Sequence, residues 1–567
     1  MHLRFVVKAG LRLVRRKLGL VRPVRTNPES ASRTLPSPAR ALAWFRSQQI
    51  TAGGIKAASD RSDAYPEVTG YLIPTMIRYG ETELAVRCVR WLAQVQQPDG
   101  SYLSPEGMPL VFDTAQALRG LLAGLGLEKQ ASGCARRAAE YIYGELVENG
   151  SGAFAKRLWY RIPEGVDLYV LPALNRAGEV FRRPEYARAA AHYLDDYLSA
   201  QRAFRPDVLT HFLGYEVEAL IDLGRSDIAA RVLARVRKEQ QPDGSVSGVG
   251  GASWVCTPGL AQLAVCWYKT GQWSAADRAL EWLEAHQEPS GGFLGSYGER
   301  AWYFPDAEIP WAAKFYLDAN LLRIRAFFDR TTLVIPRAIY ESDGRVQAVL
   351  SSVKPRTRVL DVGCGKGRYL RVVGRTNPDV DCVGLDACDR ALEHLPQSAS
   401  PVRGSMELMP YPAETFDLVF AVEAIEHSSN LPAAMREILR VTRPGGTVVV
   451  IDKQQAHWGS LDCPPWEYWP DQEELSQLLR RECDDVQFQT VSYDDRPEAD
   501  GLMIAWKGRK RMQPNSQIEP DTESGHALGH GGEFPLPVSP SSPLPSPLQL
   551  HAFRATKEGH RASDPTV

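Results

Sequence analysis

The sequence predicts two folded domains of different class: an all-α (α/α)6 toroid, followed by an α/β domain with a mainly parallel sheet. Two observations support this prediction. Residues 39–328 show helical periodicity and a recurring turn, whereas residues 336–508 alternate short β-branched runs with helical stretches. With 567 residues, of which 44% are hydrophobic, the chain can bury several cores.

The two ends of the chain differ in composition from these domains. Residues 1–38 form a basic arm and linker in which no acid precedes Glu29. One interpretation is a helix that makes a peripheral contact with the inner face of a membrane, and the other is a flexible arm or a misassigned start. Residues 512–567 are rich in Pro and Ser and are predicted to be a disordered tail.

Charge and cysteine usage exclude some classes of protein. A net charge of −2 argues against a surface that is basic throughout, so no nucleic-acid partner is expected. The nine cysteines include no CxxC pair, which indicates free thiols and a cytoplasmic location. No apolar run reaches the length of about 18 residues that a membrane span needs. The oligomeric state stays open.

A turn of the form Gln-x-Pro-Asp-Gly recurs in the first domain. Clear copies end at Gly100, Gly244 and Gly291, the last with Ser in place of Asp, and a related copy ends at Gly53. Weaker copies lie near residues 145–154 and 197–206. A spacing of roughly 40–52 residues gives two helices per unit and six units, which favours a closed toroid over an open solenoid. The predicted inner helices are residues 68–79, 113–124, 167–176, 209–223, 254–268 and 311–327.

This turn resembles turns in the toroids of terpenoid cyclases and prenyltransferases, and in those of polysaccharide lyases and epimerases. The chain lacks the acidic DxDD run of protonating terpene cyclases. Prenyltransferases bind zinc through a DxC pair, but the DxC triplet of this chain, which ends at Cys388, lies outside the helical region. The resemblance therefore implies the fold and neither of these two activities.

Polar and aromatic residues stand near the starts of the predicted inner helices. In a toroid these positions rim one end of a common cavity, and aromatic faces beside polar groups suit sugar recognition. Alternatively, Asp113 and Asp167 cap helices, while Tyr71 and Trp254 belong to the core. The candidate cavity residues are Glu67, Tyr71, Asp113, Asp167, His211, Tyr215 and Trp254.

The second domain opens on a strand that ends in an acid, Asp361, followed by a glycine-rich turn into a helix. Glycines let the backbone approach a ligand closely, and a helix N-terminus offers free N–H groups. A second strand ends at Asp386, where an acid can accept both ribose hydroxyls of a nucleoside. The run Phe-Asp-Leu-Val at 416–419 and the triplet Pro-Gly-Gly at 444–446 follow.

In this order the motifs resemble those of class I S-adenosylmethionine-dependent methyltransferases, including the type 11 and ubiquinone-pathway O-methyltransferases. The resemblance implies a Rossmann-like, seven-stranded sheet and S-adenosylmethionine as cofactor. A dinucleotide-dependent dehydrogenase is excluded, because its phosphate loop is GxGxxG. The cofactor-binding residues implied are Asp361, Gly363, Gly365, Gly367, Asp386, Ala387, Ser405, Met406 and Glu423, with Ser405 where the family commonly has an acid.

The segment from Glu423 to His427 follows the fourth strand, whose end faces the transferable methyl group in this family. It is similar to the metal site of ubiquinone-pathway and small-RNA O-methyltransferases, which implies Mg²⁺ or Mn²⁺ held by Glu423, Glu426 and His427, with His457 as a fourth ligand. Alternatively, Glu423 contacts the cofactor and His427 acts as a base or orienting residue, or both are structural. Glu423 and His427 are the candidate catalytic residues.

Trp466, Tyr468 and Trp469 lie in an aromatic segment that is predicted to form the acceptor wall or, alternatively, to pack against the toroid. The sequence predicts O-methylation of a hydroxyl on a sugar or lipid-linked glycan in polysaccharide biosynthesis, with the toroid as the acceptor-binding module. Three alternatives stay open. The acceptor is an isoprenoid or quinone, the toroid is itself a lyase or epimerase, or the toroid is a non-catalytic binding module.

Overall fold

The computed structural model describes residues 35–150, 164–199, 208–461, 463–491 and 501–512. Residues 1–34 of the predicted basic arm and linker lie outside these residues, as does the predicted Pro/Ser-rich tail after residue 512. The described helical and sheet parts belong to one compact unit. In the described part of the chain, no helix is both long and apolar enough to cross a membrane.

Two kinds of helix alternate along the first part of the chain. The buried helices match the six predicted inner helices within a few residues; a 3-10 turn, Glu164–Val170, precedes the third of them. They are Pro66–Arg78, Val111–Ala123, Leu171–Phe181, Thr210–Asp222, Thr257–Lys269 and Pro310–Thr331. The amphipathic helices between them are Ser37–Ser47, Thr82–Val95, Gln130–Asn149, Pro184–Ser199, Ser226–Glu239 and Trp273–Ala285. Pro310–Thr331 is called the bridging helix below.

The glutamine of the repeated turn links one helical unit to the next. The Gln96 side-chain amide donates to the carbonyl of Gly100 at 3.1 Å and to that of Cys134, in the next amphipathic helix, at 2.9 Å. The corresponding glutamines make the same pair of bonds in three other turns: Gln49, Gln240 and Gln287. The turn glycine has φ of +93° at Gly100, and a Cβ there would lie 2.3 Å from a carbonyl oxygen. The repeat therefore conserves a backbone contact between units.

The two ends of the helical part meet. The Gln287 amide donates to the Ser37 carbonyl at 2.9 Å, which repeats the link seen between successive units. The bridging helix also contacts the first buried helix, where Asp318 accepts hydrogen bonds from Thr75 at 2.8 Å and from Arg78 at 2.7 Å. One hydrophobic core runs through the whole helical part.

A seven-stranded sheet forms the second part. Its strands are β1 (Arg358–Val362), β2 (Asp381–Asp386), β3 (Ala399–Arg403), β4 (Phe416–Val422), β5 (Thr442–Lys453), β6 (Cys483–Val491) and β7 (Met503–Lys510). The strand order is 3-2-1-4-5-7-6, with β7 antiparallel to both neighbours. The flanking helices are Gly344–Leu350, Arg368–Thr376, Asp389–Leu392, Leu431–Val441 and Gln472–Arg480. A separate core covers each face of the sheet.

This topology confirms the predicted Rossmann-like, mainly parallel sheet of seven strands. The order of the parallel strands reverses at β1 and β4, and ligands of open α/β sheets bind outside the carboxyl ends of strands at such a point. The carboxyl ends of β1, β2 and β4 therefore define where a site is expected.

The helical and sheet parts touch near this edge. The Asn430 amide donates to the carbonyl of Tyr79 and to the Glu81 carboxylate, both at 2.7 Å. The Arg436 guanidinium donates to the Gly80 carbonyl at 3.0 Å. These bonds fix the C-terminal end of the first buried helix against the segment that follows β4.

Candidate active site

The glycine loop after β1 has the conformation that its sequence predicts. Gly363, Gly365 and Gly367 have φ values of +73°, +53° and +68°. A Cβ at Gly363 would lie 2.6 Å from the Cβ of Ala424, so that position has neither the conformation nor the space for a side chain. At Gly365 a Cβ would meet nothing within 4 Å, which leaves open space beside the loop.

Two acids face this loop. Asp386, at the end of β2, accepts hydrogen bonds from the N–H groups of Gly365 and Cys388, both at 2.8 Å. Asp361 is 1% exposed, and one of its carboxylate oxygens has no hydrogen-bond partner. Burial raises the pKa of both carboxyl groups, and the charge of Asp386 raises that of Asp361 further. Among the described residues, no Lys, Arg or His nitrogen lies within 4.0 Å of either carboxylate.

Ser405 and Met406 follow β3 on the other side of β2. The Ser405 hydroxyl donates to the carboxylate of Glu407. Glu407 also accepts from the Ser428 hydroxyl at 2.8 Å and from the Ser429 N–H at 2.7 Å, so this acid holds the chain after β4. The Met406 methyl lies 3.9 Å from the position that a Cβ at Gly363 would take. The Ala387 N–H donates a hydrogen bond to Asp386, the carboxylate that also accepts from Gly365 of the loop.

Glu423, directly after β4, is held by two guanidinium groups. Arg345 donates to its carboxylate at 2.9 Å, and Arg368 donates to the same oxygen. Asp343 in turn holds Arg345 through both carboxylate oxygens, at 2.9 and 2.7 Å. Although burial would raise it, the two guanidinium charges lower the pKa of Glu423 to about 2. Glu423 has φ of +52°, an unusual value for a residue other than glycine.

His427 lies next along this segment, in a short turn after β4. Its Nε2 is 3.4 Å from Glu426 and its Nδ1 is 3.6 Å from Glu467. Lys453 forms an ion pair with Glu426, and the ring of Phe328 packs edge-on against the imidazole at 4.9 Å between centroids. Burial lowers the pKa of His427 to about 4, against the charge of Glu426, which raises it, and together with that of Lys453, which lowers it. His427 is therefore uncharged at neutral pH.

The predicted metal set is not assembled. Two guanidinium groups bind Glu423. His457 lies beside Gly501, because a Cβ built on that glycine would be 3.1 Å from the Nε2 of His457. In the described part of the chain, one group of three side chains could offer ligand atoms to a metal ion: Glu426, His427 and Glu467. Their ligand atoms all lie within 4.8 Å of one another. The Lys453 ammonium already pairs with this group, and an ammonium there repels a divalent cation.

The three predicted acceptor aromatics point in different directions. Trp466 contacts the bridging helix, with its ring 5.2 Å from that of Phe327 and 5.3 Å from the Arg323 guanidinium. The Tyr468 hydroxyl donates to Glu474 at 2.7 Å. Trp469 is 1% exposed and belongs to a core of the sheet part. Trp466 is thus the member of this set whose ring contacts the bridging helix, whereas the Tyr468 N–H donates to the Glu426 carbonyl at 2.9 Å.

In the helical part, the predicted aromatic residues pack against one another. The ring of Tyr215 lies 4.3 Å from that of His211, and both contact Phe315, at 6.1 and 5.6 Å. Tyr71 contacts the same phenylalanine at 6.3 Å. The His211 Nδ1 lies 3.1 Å from the Gln262 amide oxygen, and burial lowers its pKa to about 3. These rings are all buried in the helical part.

A carboxyl pair lies next to these rings. Asp113 accepts a hydrogen bond from the Tyr65 hydroxyl at 2.5 Å and makes no helix cap, so the capping interpretation of Asp113 is wrong. Burial raises the pKa of Asp113 to about 7, and burial together with the Asp113 charge raises that of Glu67. Glu67 is also close enough to raise the pKa of Tyr215.

The last two predicted cavity residues are also buried. Asp167 lies in the 3-10 turn and is 4% exposed, which places it among core residues. Trp254 is likewise 4% exposed, and its ring packs at 5.6 Å against Trp302, which is 55% exposed.

Residues 360–450, from β1 into β5, match the family model described as a methyltransferase domain. The chain contains an S-adenosylmethionine-dependent methyltransferase domain. The match begins one residue before Asp361 and includes the glycine loop, Asp386, Glu423 and His427.

Curated relatives match part of the chain. A sterol 24-C-methyltransferase of Aspergillus fumigatus is 35% identical over 109 residues, which are 18% of this chain and 29% of that protein. A phthiotriol/phenolphthiotriol dimycocerosates methyltransferase of Mycobacterium leprae is 30% identical over 132 residues, 22% of this chain and 47% of that protein. The chain thus spans less than half the length of these relatives.

A solved structure described as a methyltransferase, possibly a histamine N-methyltransferase, of Thermotoga maritima is 18% identical, with a TM-score of 0.28. It covers 33% of this chain and 100% of the Thermotoga chain.

Removal of divalent metals is expected to leave methyl transfer unchanged within about twofold, because Lys453, Arg345 and Arg368 already compensate the carboxylates after β4. The measurement is the rate of label transfer from S-adenosylmethionine before and after dialysis against EDTA. A loss of more than tenfold that Mg²⁺ or Mn²⁺ restores would contradict this expectation.

Proposed function

We propose that the methyltransferase domain transfers a methyl group to a hydroxyl of a sugar, glycan or glycolipid acceptor, and that the helical part is an (α/α)6 toroid that binds this acceptor. The observation that carries the proposal is the position of His427, in the turn after β4 with its two ring nitrogens 3.4 Å from Glu426 and 3.6 Å from Glu467. An uncharged imidazole can accept the proton of a hydroxyl as its oxygen attacks, a step that a hydroxyl acceptor needs.

The residues around the glycine loop fit S-adenosylmethionine. Asp361 has a buried carboxylate oxygen without a partner, and Asp386 carries a charge that no described cation neutralises. Such a site favours a ligand that is positively charged and donates hydrogen bonds. The open space beside Gly365 lets a ligand approach the backbone there. When bound, this cofactor supplies an electrophilic methyl group.

His427 is a better proton acceptor than Glu423, the other candidate. Two guanidinium groups share one oxygen of Glu423 and hold its pKa at about 2, so its carboxylate is a weak base. Glu423 therefore has a positioning role in the proposal, because it fixes Arg345 and Arg368 at the end of β4. His427 lies between carboxylates and the ring of Phe328, which restricts its orientation.

The toroid proposal rests on how the helical part closes. The glutamine link between successive units also joins the last turn to the first amphipathic helix. At one end, Glu67, Asp113 and Tyr65 offer hydroxyl and carboxyl groups beside aromatic rings. Such a combination suits a sugar, whose hydroxyls bind polar groups and whose apolar face packs on a ring.

A lipid acceptor is the second candidate function. The names of two relatives describe methylation of a sterol and of a dimycocerosate lipid. The rings of Phe327, Phe328 and Trp466 near His427 would suit an apolar acceptor as well as a sugar face. An isoprenoid or a quinone is the corresponding acceptor class.

Transfer of labelled methyl from S-adenosylmethionine into host extract distinguishes these candidates. The extract is separated into glycan, glycolipid, neutral lipid, protein and RNA fractions, and the variant Asp386→Ala is the inactive control. We expect label in the glycan or glycolipid fraction with the wild-type chain and at least tenfold less with the control. Label confined to neutral lipids would reject the sugar proposal in favour of the second candidate.

A further inference from the structure

The bridging helix belongs to both parts of the molecule. Its 22 residues span about 33 Å. Every residue from Pro310 to Asn320 is buried in the helical part. From Arg323 onward some of its side chains also contact the methyltransferase domain, as Arg325 does through an ion pair with Asp389 at 3.2 Å. Arg330 still pairs with Asp277 of the helical part, at 3.2 Å. The helical part therefore extends a rigid element to the methyltransferase site.

The last turn of this helix reaches the carboxyl ends of two strands. Phe328 packs against His427, which follows β4. Asp329 accepts a hydrogen bond from the Cys388 thiol at 3.2 Å, and the Thr332 hydroxyl lies 3.5 Å from the same sulfur; Cys388 follows β2. Because β1 lies between β2 and β4 in the sheet, the end of the helix spans the region of the glycine loop.

Asp329 and Asp386 flank Cys388 from two sides. The Cys388 N–H donates to Asp386 at 2.8 Å, while its thiol donates to Asp329. The two carboxylates are close enough that the charge of Asp329 adds to burial in raising the pKa of Asp386. Arg325 approaches Asp329 only to 4.0 Å, and Asp329 keeps 20% of its side chain exposed. Two like charges at one position are unfavourable unless hydrogen-bond donors separate them.

A ribose supplies two adjacent hydroxyl donors, which matches two carboxylates. We infer that Asp329, on the last turn of the bridging helix, is a further cofactor-binding residue, which accepts one ribose hydroxyl of the cofactor while Asp386 accepts the other. This inference rests on the proposed use of S-adenosylmethionine. It makes the helical part a component of the cofactor site.

Calorimetric binding of S-adenosylhomocysteine tests this inference. Asp329→Asn is expected to weaken binding about tenfold, because a charge-assisted hydrogen bond becomes a neutral one. The matched control is Asp379→Asn, at an exposed aspartate of the same domain, and it should stay within twofold of the wild type. Thermal unfolding of each variant checks that the fold is retained.

The 2′-deoxy and 3′-deoxy analogues of S-adenosylhomocysteine separate binding from a structural role. If Asp329 accepts a ribose hydroxyl, Asp329→Asn should change the affinity for one of these analogues by less than twofold, because the bond is already absent. A role limited to holding the Cys388 thiol would weaken all three ligands equally and would overturn the inference. Equal affinity of Asp329→Asn and the wild type would overturn it too. A wild-type chain that binds none of the ligands would overturn the proposed function itself.

Discussion

Replacing His427 by glutamine is expected to lower kcat for methyl transfer about a hundredfold or more and to change the KM for S-adenosylmethionine by less than threefold. Glutamine keeps a hydrogen-bonding group of similar size near Glu426 and Phe328, but it cannot accept the proton of the acceptor. General-base catalysis contributes about 10²–10⁴ to a rate, which sets the expected loss. The measurement is steady-state label transfer into the fraction that the wild-type chain methylates.

The pH profile gives a second test of the same role. His427 has its pKa lowered to about 4, so its uncharged form predominates above that pH and is lost as the pH falls through it. We expect kcat/KM of the wild type to be level between about pH 6 and 8 and to fall below about pH 5. A decline that starts near pH 7 would contradict the uncharged state of His427. His192→Gln, at a histidine that is 81% exposed, is the matched control and should keep full activity.

The backbone conformation that the sequence predicted around the candidate cofactor site is local. Asp361 and the glycines after it follow one another in the chain, and a strand that ends in an acid before a glycine turn has few other conformations. Asp386 could be located in the same way, because it ends the second strand of a repeating strand-helix pattern. Arg368 directly follows this loop, which is a signal that sequence reasoning missed.

The environment of Glu423 and Glu426 could not be predicted in this way. Arg345 lies 78 positions before Glu423, and Lys453 lies 27 positions after Glu426. Whether a carboxylate binds a metal or an internal cation depends on such distant partners, and spacing within one segment does not specify them. Distant partners also explain what could not be predicted in the helical part. The turn glutamines were recognised, but their bonds to the next unit were not. Asp113 bonds Tyr65 instead of capping its helix.

Replacing Glu423 by glutamine is expected to destabilise the methyltransferase domain by about 3 kcal/mol at pH 7. Folding lowers the pKa of this carboxyl from an ordinary value of 4.5 to about 2, and a shift of that size corresponds to about 3 kcal/mol. The side chains involved are largely shielded from solvent, with exposures of 18% for Glu423 and 7% for Arg345. Removal of the charge leaves two guanidinium groups close together without their shared anion.

The pH dependence of this loss follows from the direction of the shift. A lowered pKa contributes stability that is complete above about pH 4.5 and disappears as the pH falls toward 2. The difference between wild type and Glu423→Gln should therefore be constant from pH 6 to 8 and should shrink below about pH 4.5, as measured by urea unfolding. Glu341→Gln, which removes an ion pair with exposures of 49% and 67%, is the control and should cost less than about 1 kcal/mol. If the two variants lost equal stability, the carboxylate of Glu423 would contribute no more than a surface charge. The fixed arrangement of Arg345 and Arg368 beside the proposed methyl-transfer site would then need another cause.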